Sequence, residues 1–408
     1  MSSFSIPLTG LEASSTALNT IANNLSNMNT TSFKSQSVTF SDLFYQDIGS
    51  SGAGNPLQVG AGTQIGATET DFSQGSISDT SNSTDVALDG SGFFVIQDGG
   101  QTEYTRDGDF TLSSTGALTT QDGQQVMGYP VANGAVNTNA PLTPIQIPIG
   151  AVEQPQATST LGLTANLDSS STTGTMVPAQ ITLYDSLGVS HVATIDFTNN
   201  GGGAWGYSIA LPAGDATGGT NLTGTLQFDA NGNLTTPAAN VAGITFTGLS
   251  DNANDLNMTW NLYGANSKPA ITQVASTSAV SGTTQNGFAS GEYSGFSIGS
   301  DGLVSAEFSN GQTTPVGQVA LANVTNVQGL KIMAGNNYQT TLASGAATVG
   351  VAGAAGLGSL EDEALEGSNV DISTQFANLI VAQQAFEASS KAITTFDTIS
   401  QETINMIH

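Results

Sequence analysis

Residues 8–28 read LTGLEASSTALNTIANNLSNM, and leucine recurs in this stretch at every seventh position from Leu11. The apolar set consists of Leu11, Leu18 and Leu25, with Ile21 and Met28 three residues after the second and third leucines. Such a spacing places side chains on one helical face and is typical of a coiled-coil seam. The stretch therefore predicts a helix from about Leu8 to Met28, ended by the polar run that follows it.

The other end of the chain shows the same spacing over a longer stretch. Its apolar set consists of Phe376, Leu379, Phe386, Ile393, Ile404 and Ile407. These residues predict a helix of about forty residues, counted from Val370. Ser368, three residues before Asp371, predicts the cap of this helix. The acidic residues just upstream are interpreted as a solvated turn: Glu361, Asp362, Glu363 and Glu366.

Both predicted helices carry few charges. Glu12 is the single charged side chain in residues 1–33, and five charged side chains lie in residues 370–408. Helical faces of Asn, Ser, Thr, Gln and Ala favour burial against other polar helices. Two interpretations stay open. Either the helices polymerise with copies of the chain, or they form an intramolecular hairpin packed on the body.

Between the helices the pattern changes to the period of two that half-buried strands show. Examples are Val86/Leu88, Phe94/Ile96, Ala193/Ile195/Phe197, Met258/Trp260 and Val304/Ala306/Phe308. Asp-Gly and Asn-Gly turn signals separate these runs. No helical pattern alternates with them, which favours antiparallel sandwiches or barrels. The predicted fold class is α+β, mainly β, with terminal α-helices forming a coiled-coil-like pair and two antiparallel β domains between them, the outer one inserted into the inner one.

The predicted domain organisation follows composition shifts along the chain. A Pro-rich passage near residues 141–155 and a Ser/Thr/Gly run over residues 276–287 mark the limits of the insertion. The predicted divisions are a terminal helical polymerisation domain (1–32 and 367–408), an extended arm (33–70 and 356–366), an inner β domain (71–150 and 286–355) and an outer inserted β domain (151–285).

Composition excludes several classes of partner. The formal net charge is −27, with 5 basic and 32 acidic residues, so nucleic acid and anionic membrane surfaces are poor partners. Cysteine is absent, which excludes disulfides and thiolate metal sites. No apolar run approaches the roughly 18–20 residues of a membrane span. The first residues lack the pattern of a cleaved signal peptide, so we expect any export to use another route.

The sequence predicts no catalytic, cofactor or metal site. It contains 2 histidines, His191 within a predicted strand and His408, which cannot build a multi-histidine centre. His191 is interpreted as an ordinary strand residue. The runs 107–109 and 229–233 resemble fragments of calcium loops but lack the required Gly and Glu, and are interpreted as hairpin turns. A glycan-binding adhesin and a hydrolase using paired carboxylates stay open as alternatives.

Four motifs resemble those of the bacterial flagellar rod and hook axial protein family. Residues 22–34, ANNLSNMNTTSFK, resemble its N-terminal signature, although Ser32 stands where the family often has Gly. Residues 85–94 and 104–110 look like its core β motifs, and residues 367–372 followed by 379–384 are similar to its C-terminal helix signature. The motif residues carried over are Asn23, Asn24, Asn27, Phe33, Lys34, Ser368, Asn369, Val370 and Asp371.

The resemblance implies a structural, non-enzymatic subunit of a helical polymer. Residues 184–188 within the long insertion look like the outer domain of a hook subunit, which is preferred over a distal rod subunit. The resemblance further implies a curved tube that acts as a universal joint and encloses the export channel. Implied partners are rod, hook-cap and hook–filament junction proteins and the flagellar type III export apparatus, with an extracellular location in the flagellum.

Overall fold

The computed structural model describes residues 5–50, 52, 54–264 and 267–406 of the 408-residue chain. Helix α1 (Ser5–Ser26) and helix α2 (Ile372–Met406) lie near the two ends. Both confirm the predicted terminal helices, although Ile407 lies outside the described residues. The chain divides into unit 1 (residues up to 149, 296–306 and from 314 on) and unit 2 (150–295 and 307–313).

Helix α2 begins one turn later than its predicted cap. Asp371 Oδ1 accepts a hydrogen bond from the backbone N–H of Thr374 at 3.0 Å, the contact expected of an N-cap residue. Ser368 Oγ instead accepts from the N–H of Val370 at 3.4 Å, outside the helix. The prediction of Ser368 as the cap was therefore wrong. The helix has 35 residues and a length of about 52 Å at ~1.5 Å per residue.

The first part of the chain forms short strands. They are β1 (Gln36–Asp42), β2 (Tyr45–Ser50), β3 (Pro56–Gly60), β4 (Thr63–Thr70), β5 (Ile77–Asp79), β6 (Val86–Asp89), β7 (Phe93–Asp98), β8 (Gln101–Thr105), β9 (Phe110–Leu112), β10 (Leu118–Thr120), β11 (Gln125–Ala132), β12 (Ala135–Val136) and β13 (Thr143–Pro144). Strand β1 pairs with β4 and β2 with β3, both antiparallel. The segment 33–70, predicted as an extended arm, is therefore a pair of two-stranded ribbons.

The middle of the chain forms longer strands. They are β14 (Val152–Glu153), β15 (Thr160–Asn166), β16 (Met176–Tyr184), β17 (Ser190–Gly201), β18 (Ala204–Ala210), β19 (Ala216–Thr220), β20 (Thr223–Phe228), β21 (Leu234–Thr236), β22 (Val241–Leu249), β23 (Leu256–Asn261), β24 (Ile271–Thr272) and β25 (Ala279–Gln285). The Ser/Thr/Gly run predicted as a boundary thus contains β25, which pairs with β15.

The last strands precede α2. They are β26 (Gly291–Ile298), β27 (Leu303–Phe308), β28 (Thr313–Val319), β29 (Leu321–Asn323), β30 (Lys331–Ile332), β31 (Asn337–Gln339), β32 (Thr348–Gly350), β33 (Ser359–Asp362) and β34 (Ala364–Glu366), with a 3-10 turn at Val327–Gly329. Strand β33 pairs with β6 and β34 with β5. Within unit 1, sequence segments from before and after the insertion therefore share sheets.

The core of unit 1 surrounds the sheet with order β28-β11-β7-β8-β31-β30. Residues 93–96 are buried on both faces of β7, so this strand is a central one. On one face Phe93 packs against Tyr338, with ring centroids 5.4 Å apart. On the other face Phe94 meets Phe110 edge-on at 5.1 Å. Aromatic pairs of this geometry contribute beyond the apolar area that they bury.

Unit 2 is a β-sandwich. One sheet has the order β16-β17-β18-β20-β21, and the other β19-β22-β23-β15-β24. The inward residues alternate as predicted: Ala193, Ile195 and Phe197 are fully buried. Tyr207 and Trp260, one from each sheet, meet edge-on with centroids 5.1 Å apart. The apolar faces of the two sheets thus close on a single core.

The prediction of purely antiparallel sheets was wrong at one strand. Strand β15 runs parallel to both β23 and β24. Parallel neighbours need a long crossover connection. Here the intervening chain, residues 167–255, supplies it: it forms the whole opposite sheet and also β19 and β22 of the same sheet, so no crossover helix is needed.

The loop at residues 107–109 is not a hairpin turn, because β8 and β9, which it joins, do not pair with each other. A Cβ on Gly108 would lie 1.7 Å from the carbonyl oxygen of Val86, so only glycine fits this approach. The run 229–233 does connect the paired strands β20 and β21, as predicted. Burial raises the pKa of Asp107 to about 6, with nearby carboxylates adding to the shift.

The raised pKa of Asp107 gives a pH-dependent prediction. Its protonated form stabilises the fold at low pH, and this contribution is lost as pH rises through about 6. Asp107→Asn keeps the acceptor for the N–H of Asp109 without the charge. We expect the variant's gain in unfolding free energy over the wild type to be roughly 1 kcal/mol larger at pH 8 than at pH 5.

The measurement is urea unfolding of both proteins at the two pH values. Asp98→Asn, at the exposed end of β7, is the control, and its effect should differ less between the two pH values than that of Asp107→Asn. An Asp107→Asn gain that is equal at pH 5 and pH 8 would contradict the assignment.

Candidate assembly site at the terminal helices

Helices α1 and α2 pack against each other in antiparallel directions. Asn24 Nδ2 donates to Gln375 Oε1 at 3.2 Å, and a Cβ on Gly10 would lie 3.1 Å from Ser389 Oγ. Residue numbers therefore fall along one helix as they rise along the other. By this register, residues beyond about 395 of α2 extend past the described part of α1.

Small side chains lie at this helix contact. Ala13 on α1 and Ala382 on α2 are both buried. The two helices and strand β1 enclose a groove of about 570 Å³. Its lining is largely apolar or uncharged: Gly10, Ala13, Ala17, Ile21, Val38, Phe40, Val381, Ala382 and Ala385 are among its residues. Small residues on both helices therefore allow a close approach at Gly10, Ala13 and Ala382.

The predicted seam residues occupy three different environments. Ile21 is buried. Half-buried are Leu11, Leu18, Leu25, Leu379, Phe386 and Ile393. Exposed are Met28, Phe376 and Ile404. The structure therefore covers one part of the set, fully or partly, and leaves the other part on the surface, and the role of the set in polymerisation stays a prediction.

Helix α2 carries an exposed apolar row. Ile372, Phe376 and Ile380 are spaced four residues apart, which places them on one face. They are 44%, 52% and 55% exposed. We call these three residues the α2 stripe. Contiguous exposed apolar residues on a helix are typical of interaction surfaces.

Asn24 ties α1 to the ribbon that follows it. Its side chain is 1% exposed and accepts from the N–H of Gln36 at 2.9 Å. Its Nδ2 donates to the carbonyl of Gln36 at 2.7 Å, in addition to its bond to Gln375. This amide therefore fixes α1, β1 and α2 relative to one another within unit 1, which only Asn could do with the same atoms.

A buried ion pair joins the segment that follows α1 to the segment that precedes α2. Lys34 Nζ lies 2.6 Å from Glu366 Oε1 and donates to the carbonyl of Ser73 at 2.8 Å. Both charged side chains are fully buried. Burial lowers the pKa of Lys34, and the hydrogen bond to Glu366 opposes that shift. Arg106 Nη1 lies 3.8 Å from Glu366 Oε2 and adds a second cation.

Glu366 corrects the interpretation of the acidic run as a solvated turn. Glu361, Asp362 and Glu363 are exposed or half-buried, but Glu366 is 1% exposed. The run forms strands β33 and β34 instead of a turn. Glu366 Oε1 also accepts from the N–H of Gly75 at 2.8 Å. A buried carboxylate needs such partners, and they lie far away in sequence.

Asn369 and Ser32 complete the connection. Asn369 Oδ1 accepts from the N–H of Ser35 at 2.8 Å, and its Nδ2 donates to the carbonyl of Asp71 at 2.8 Å. Ser32 adopts φ 54°, a left-handed conformation that favours glycine. Its hydroxyl donates to the carbonyl of Arg106 at 2.8 Å. We call Asn24, Lys34, Glu366 and Asn369 the terminal clasp.

Comparisons with known proteins cover both ends and the middle of the chain. The family described as Flagella basal body rod protein matches residues 7–34, and Flagellar basal body rod FlgEFG protein C-terminal matches 361–406. Flagellar hook protein FlgE/F/G D1 domain matches 87–160, and Flagellar basal body protein FlaE D2 domain matches 156–288.

Curated relatives match over nearly the whole length. The flagellar hook protein FlgE of Escherichia coli is 32% identical, with 99% of each chain covered. The chain belongs to the flagellar hook protein FlgE family. The FlgE of Treponema pallidum is 30% identical, with 98% of each chain covered. A crystal structure of Helicobacter pylori FlgE2 covers 71% of this chain and 100% of its own, with 15% identity and a TM-score of 0.55, and shares the fold.

Membership identifies the chain as a structural subunit of the flagellar hook and gives the motifs a physical meaning. The motif residues Asn24, Phe33 and Lys34 are buried, Asn27, Ser368, Asn369 and Val370 are half-buried, and Asn23 and Asp371 are exposed. Sequence reasoning missed Glu366 and Arg106 as partners of Lys34. A signal for the ion pair was present, because the chain has only 5 basic residues and two of them lie inside family motifs.

Proposed function

We propose that this hook subunit polymerises through its terminal helices, with the α2 stripe and the end of α2 buried against neighbouring copies. The carrying observation is that Phe376 is 52% exposed although it belongs to the apolar pattern of the helix. Burying a side chain of this size contributes about 1.5–3 kcal/mol. A polymer repeats that contribution at each subunit.

The exposed part of α2 beyond α1 supports the same proposal. Ile399, Ile404 and Met406 are 53%, 56% and 80% exposed. A lone helix end with such side chains is stabilised by packing rather than by its own propensity. A second copy offers a surface of the same composition, and the family is one of assembled subunits.

We further propose that the polymer is a flexible curved tube around the export channel. It would transmit torque from rod to filament and act as a universal joint. The sparse charge of α1 and α2 suits a lumen that must not retain a passing chain through ion pairs. The proposed partners are the flagellar rod, hook-cap and hook–filament junction proteins and the type III export apparatus, with export without a cleaved signal peptide to an extracellular location.

The proposed role is non-enzymatic. It needs packing surfaces and no reaction centre, and the α1–α2 groove is lined by uncharged side chains. In the described part of the chain no helix has the length and hydropathy needed to cross a bilayer. Full-length similarity to hook proteins, including the 156–288 region, favours the hook over the distal rod.

Phe376→Asp tests the proposed interface. We expect the variant to stay monomeric at concentrations where the wild type forms tubes, because a buried unpaired carboxylate costs several kcal/mol per contact. Electron microscopy and sedimentation of the purified proteins measure this outcome. Phe376 is half exposed in the single chain, so the monomer fold should be unchanged by circular dichroism.

Thr374→Asp is the matched control, since it places the same charge at an exposed polar position of α2 that lies about 200° around the helix from Phe376. It should assemble like the wild type. Tubes formed by Phe376→Asp at wild-type yield would refute burial of the stripe in the polymer.

A further inference from the structure

His191 in unit 2 is enclosed by carboxylates rather than packed as an ordinary strand residue. It lies on β17 with the same inward parity as Ala193 and Ile195 and is 4% exposed. Its Nε2 is 3.0 Å from Asp185 Oδ2 and 3.8 Å from Asp251 Oδ2. Its Nδ1 is 3.2 Å from Asp215 Oδ2. Three carboxylates thus face the single imidazole.

The hydrogen bonds around the ring leave one acceptor unsatisfied. Nε2 can carry one hydrogen, and Asp185 Oδ2 is the nearer of the two oxygens that face it. Asp251 Oδ2 is buried and has no hydrogen-bond partner among the residues that the structure describes. Asp251 Oδ1 is engaged with the N–H of Ala253 at 3.0 Å, so the side chain is held in place. A buried acceptor without a donor is costly, and a cation bound beside Asp251 Oδ2 would remove that cost.

We propose that Asp185, His191 and Asp251 bind one divalent first-row metal ion, of which Zn²⁺ is the probe used below. Their ligand atoms all lie within 4.8 Å of one another. Two carboxylates and a neutral imidazole carry a charge of −2, which a divalent ion neutralises. Imidazole with carboxylate oxygens is a ligand set that zinc accepts, with a fourth position left for water.

Asp215 supplies the carboxylate that, in many metal sites, accepts a hydrogen bond from the second ring nitrogen of the metal-binding histidine. With Nδ1–H donating to Asp215 Oδ2, the Nε2 lone pair faces the two ligand carboxylates. A carboxylate behind a metal-binding histidine fixes the tautomer and the ring orientation. Asp185 is held in the same way, because its Oδ1 accepts from the N–H groups of Leu187 and Val189. The ligands are therefore positioned before an ion arrives.

The proposed ion connects the two sheets of unit 2. Asp185 follows β16 and His191 lies on β17, in one sheet. Asp251 follows β22 in the other sheet, and Asp215 directly precedes its neighbour β19. The carboxylates of Asp251 and Asp215 are 24% and 32% exposed, which leaves an entry path from solvent. The inference is independent of the proposed polymerisation.

The test uses full-length monomeric protein treated with EDTA, desalted and titrated with Zn²⁺. We expect one ion per chain by elemental analysis and a higher thermal midpoint of the tryptophan fluorescence, since metal binding to the folded state stabilises it. Trp205 and Trp260 are both buried in the core of unit 2, so their emission follows this unit.

Asp251→Asn is the decisive variant because it is isosteric and keeps the Oδ1 contact to Ala253. Its Zn²⁺ affinity should fall by at least about tenfold, and Asp215→Asn should lower the affinity by roughly ten- to a hundredfold. Asp229→Asn, at an exposed turn of the same unit, should bind like the wild type. Absence of a retained ion in the wild type, or equal binding by Asp251→Asn and Asp229→Asn, would overturn the proposal.

Discussion

Glu366→Ala should lower the free energy of unfolding of unit 1 by about 3–5 kcal/mol, the loss typical of removing one partner from a buried ion pair. The substitution leaves Lys34 Nζ buried with its charge unpaired, although its hydrogen bond to the Ser73 carbonyl is kept. It also removes the acceptor for the N–H of Gly75. Arg106 is affected less, because its guanidinium donates to the carbonyls of Leu88 and Gly90.

Urea unfolding followed by two probes measures this loss. Far-UV circular dichroism reports both units, whereas tryptophan fluorescence reports unit 2, where both of the chain's tryptophans lie. We expect an earlier dichroism transition with an unchanged fluorescence midpoint. Glu361→Ala, an exposed acid in the same segment, is the control and should shift the midpoint by no more than about 0.5 kcal/mol.

A double variant separates charge burial from simple truncation. Lys34→Met with Glu366→Gln removes both charges, and the amide oxygen can still accept from the N–H of Gly75. More than half of the loss should be recovered, since neutral replacement of a buried pair is often near neutral. If Glu366→Ala were as stable as Glu361→Ala, the ion pair would make no contribution to the stability of unit 1.

Local sequence patterns were sufficient to predict the terminal helices and many of the strands. The period of two over Ala193, Ile195 and Phe197 identified a strand and its buried face, because each residue's environment follows from its neighbours in sequence. The heptad spacing identified both terminal helices for the same reason. The parallel pairing of β15 with β23 was missed because the chain forms a whole second sheet between these two strands. Local sequence patterns carry no information about a partner so far away in sequence.

The side-chain networks were beyond such reasoning. Lys34 and Glu366 are 332 residues apart, and the acidic run containing Glu366 looks solvated when it is read alone. His191 had the inward parity of its strand, which could have marked it as buried. Its partners Asp215 and Asp251 lie in loops whose positions depend on how two sheets pack. Burial of a polar group can be read from pattern, but its partners cannot.

Deleting residues 370–408 should abolish polymerisation completely while unit 2 and the sheet of unit 1 stay folded. The deletion removes α2 with its stripe, but it begins after Asn369, so Glu366 and the contacts of Asn369 to Ser35 and Asp71 remain. Asn24 loses Gln375 and keeps both bonds to Gln36. The hydrogen bonds of the terminal clasp, apart from the one to Gln375, are therefore kept in the truncated chain. Because they hold the strands in place, loss of assembly cannot be assigned to unfolding of the strands.

Sedimentation and electron microscopy of the truncated chain, beside the full-length protein at equal concentration, measure this outcome. Retention of the tryptophan emission and of the strand signal by circular dichroism shows that the remaining chain is folded. Helix α2 is the one element of the described chain that is long, apolar in pattern and mostly exposed. Its burial against neighbouring copies should therefore contribute most of the free energy that stabilises the polymer. Tubes assembled from the truncated chain would place the contacts between subunits on the β units instead.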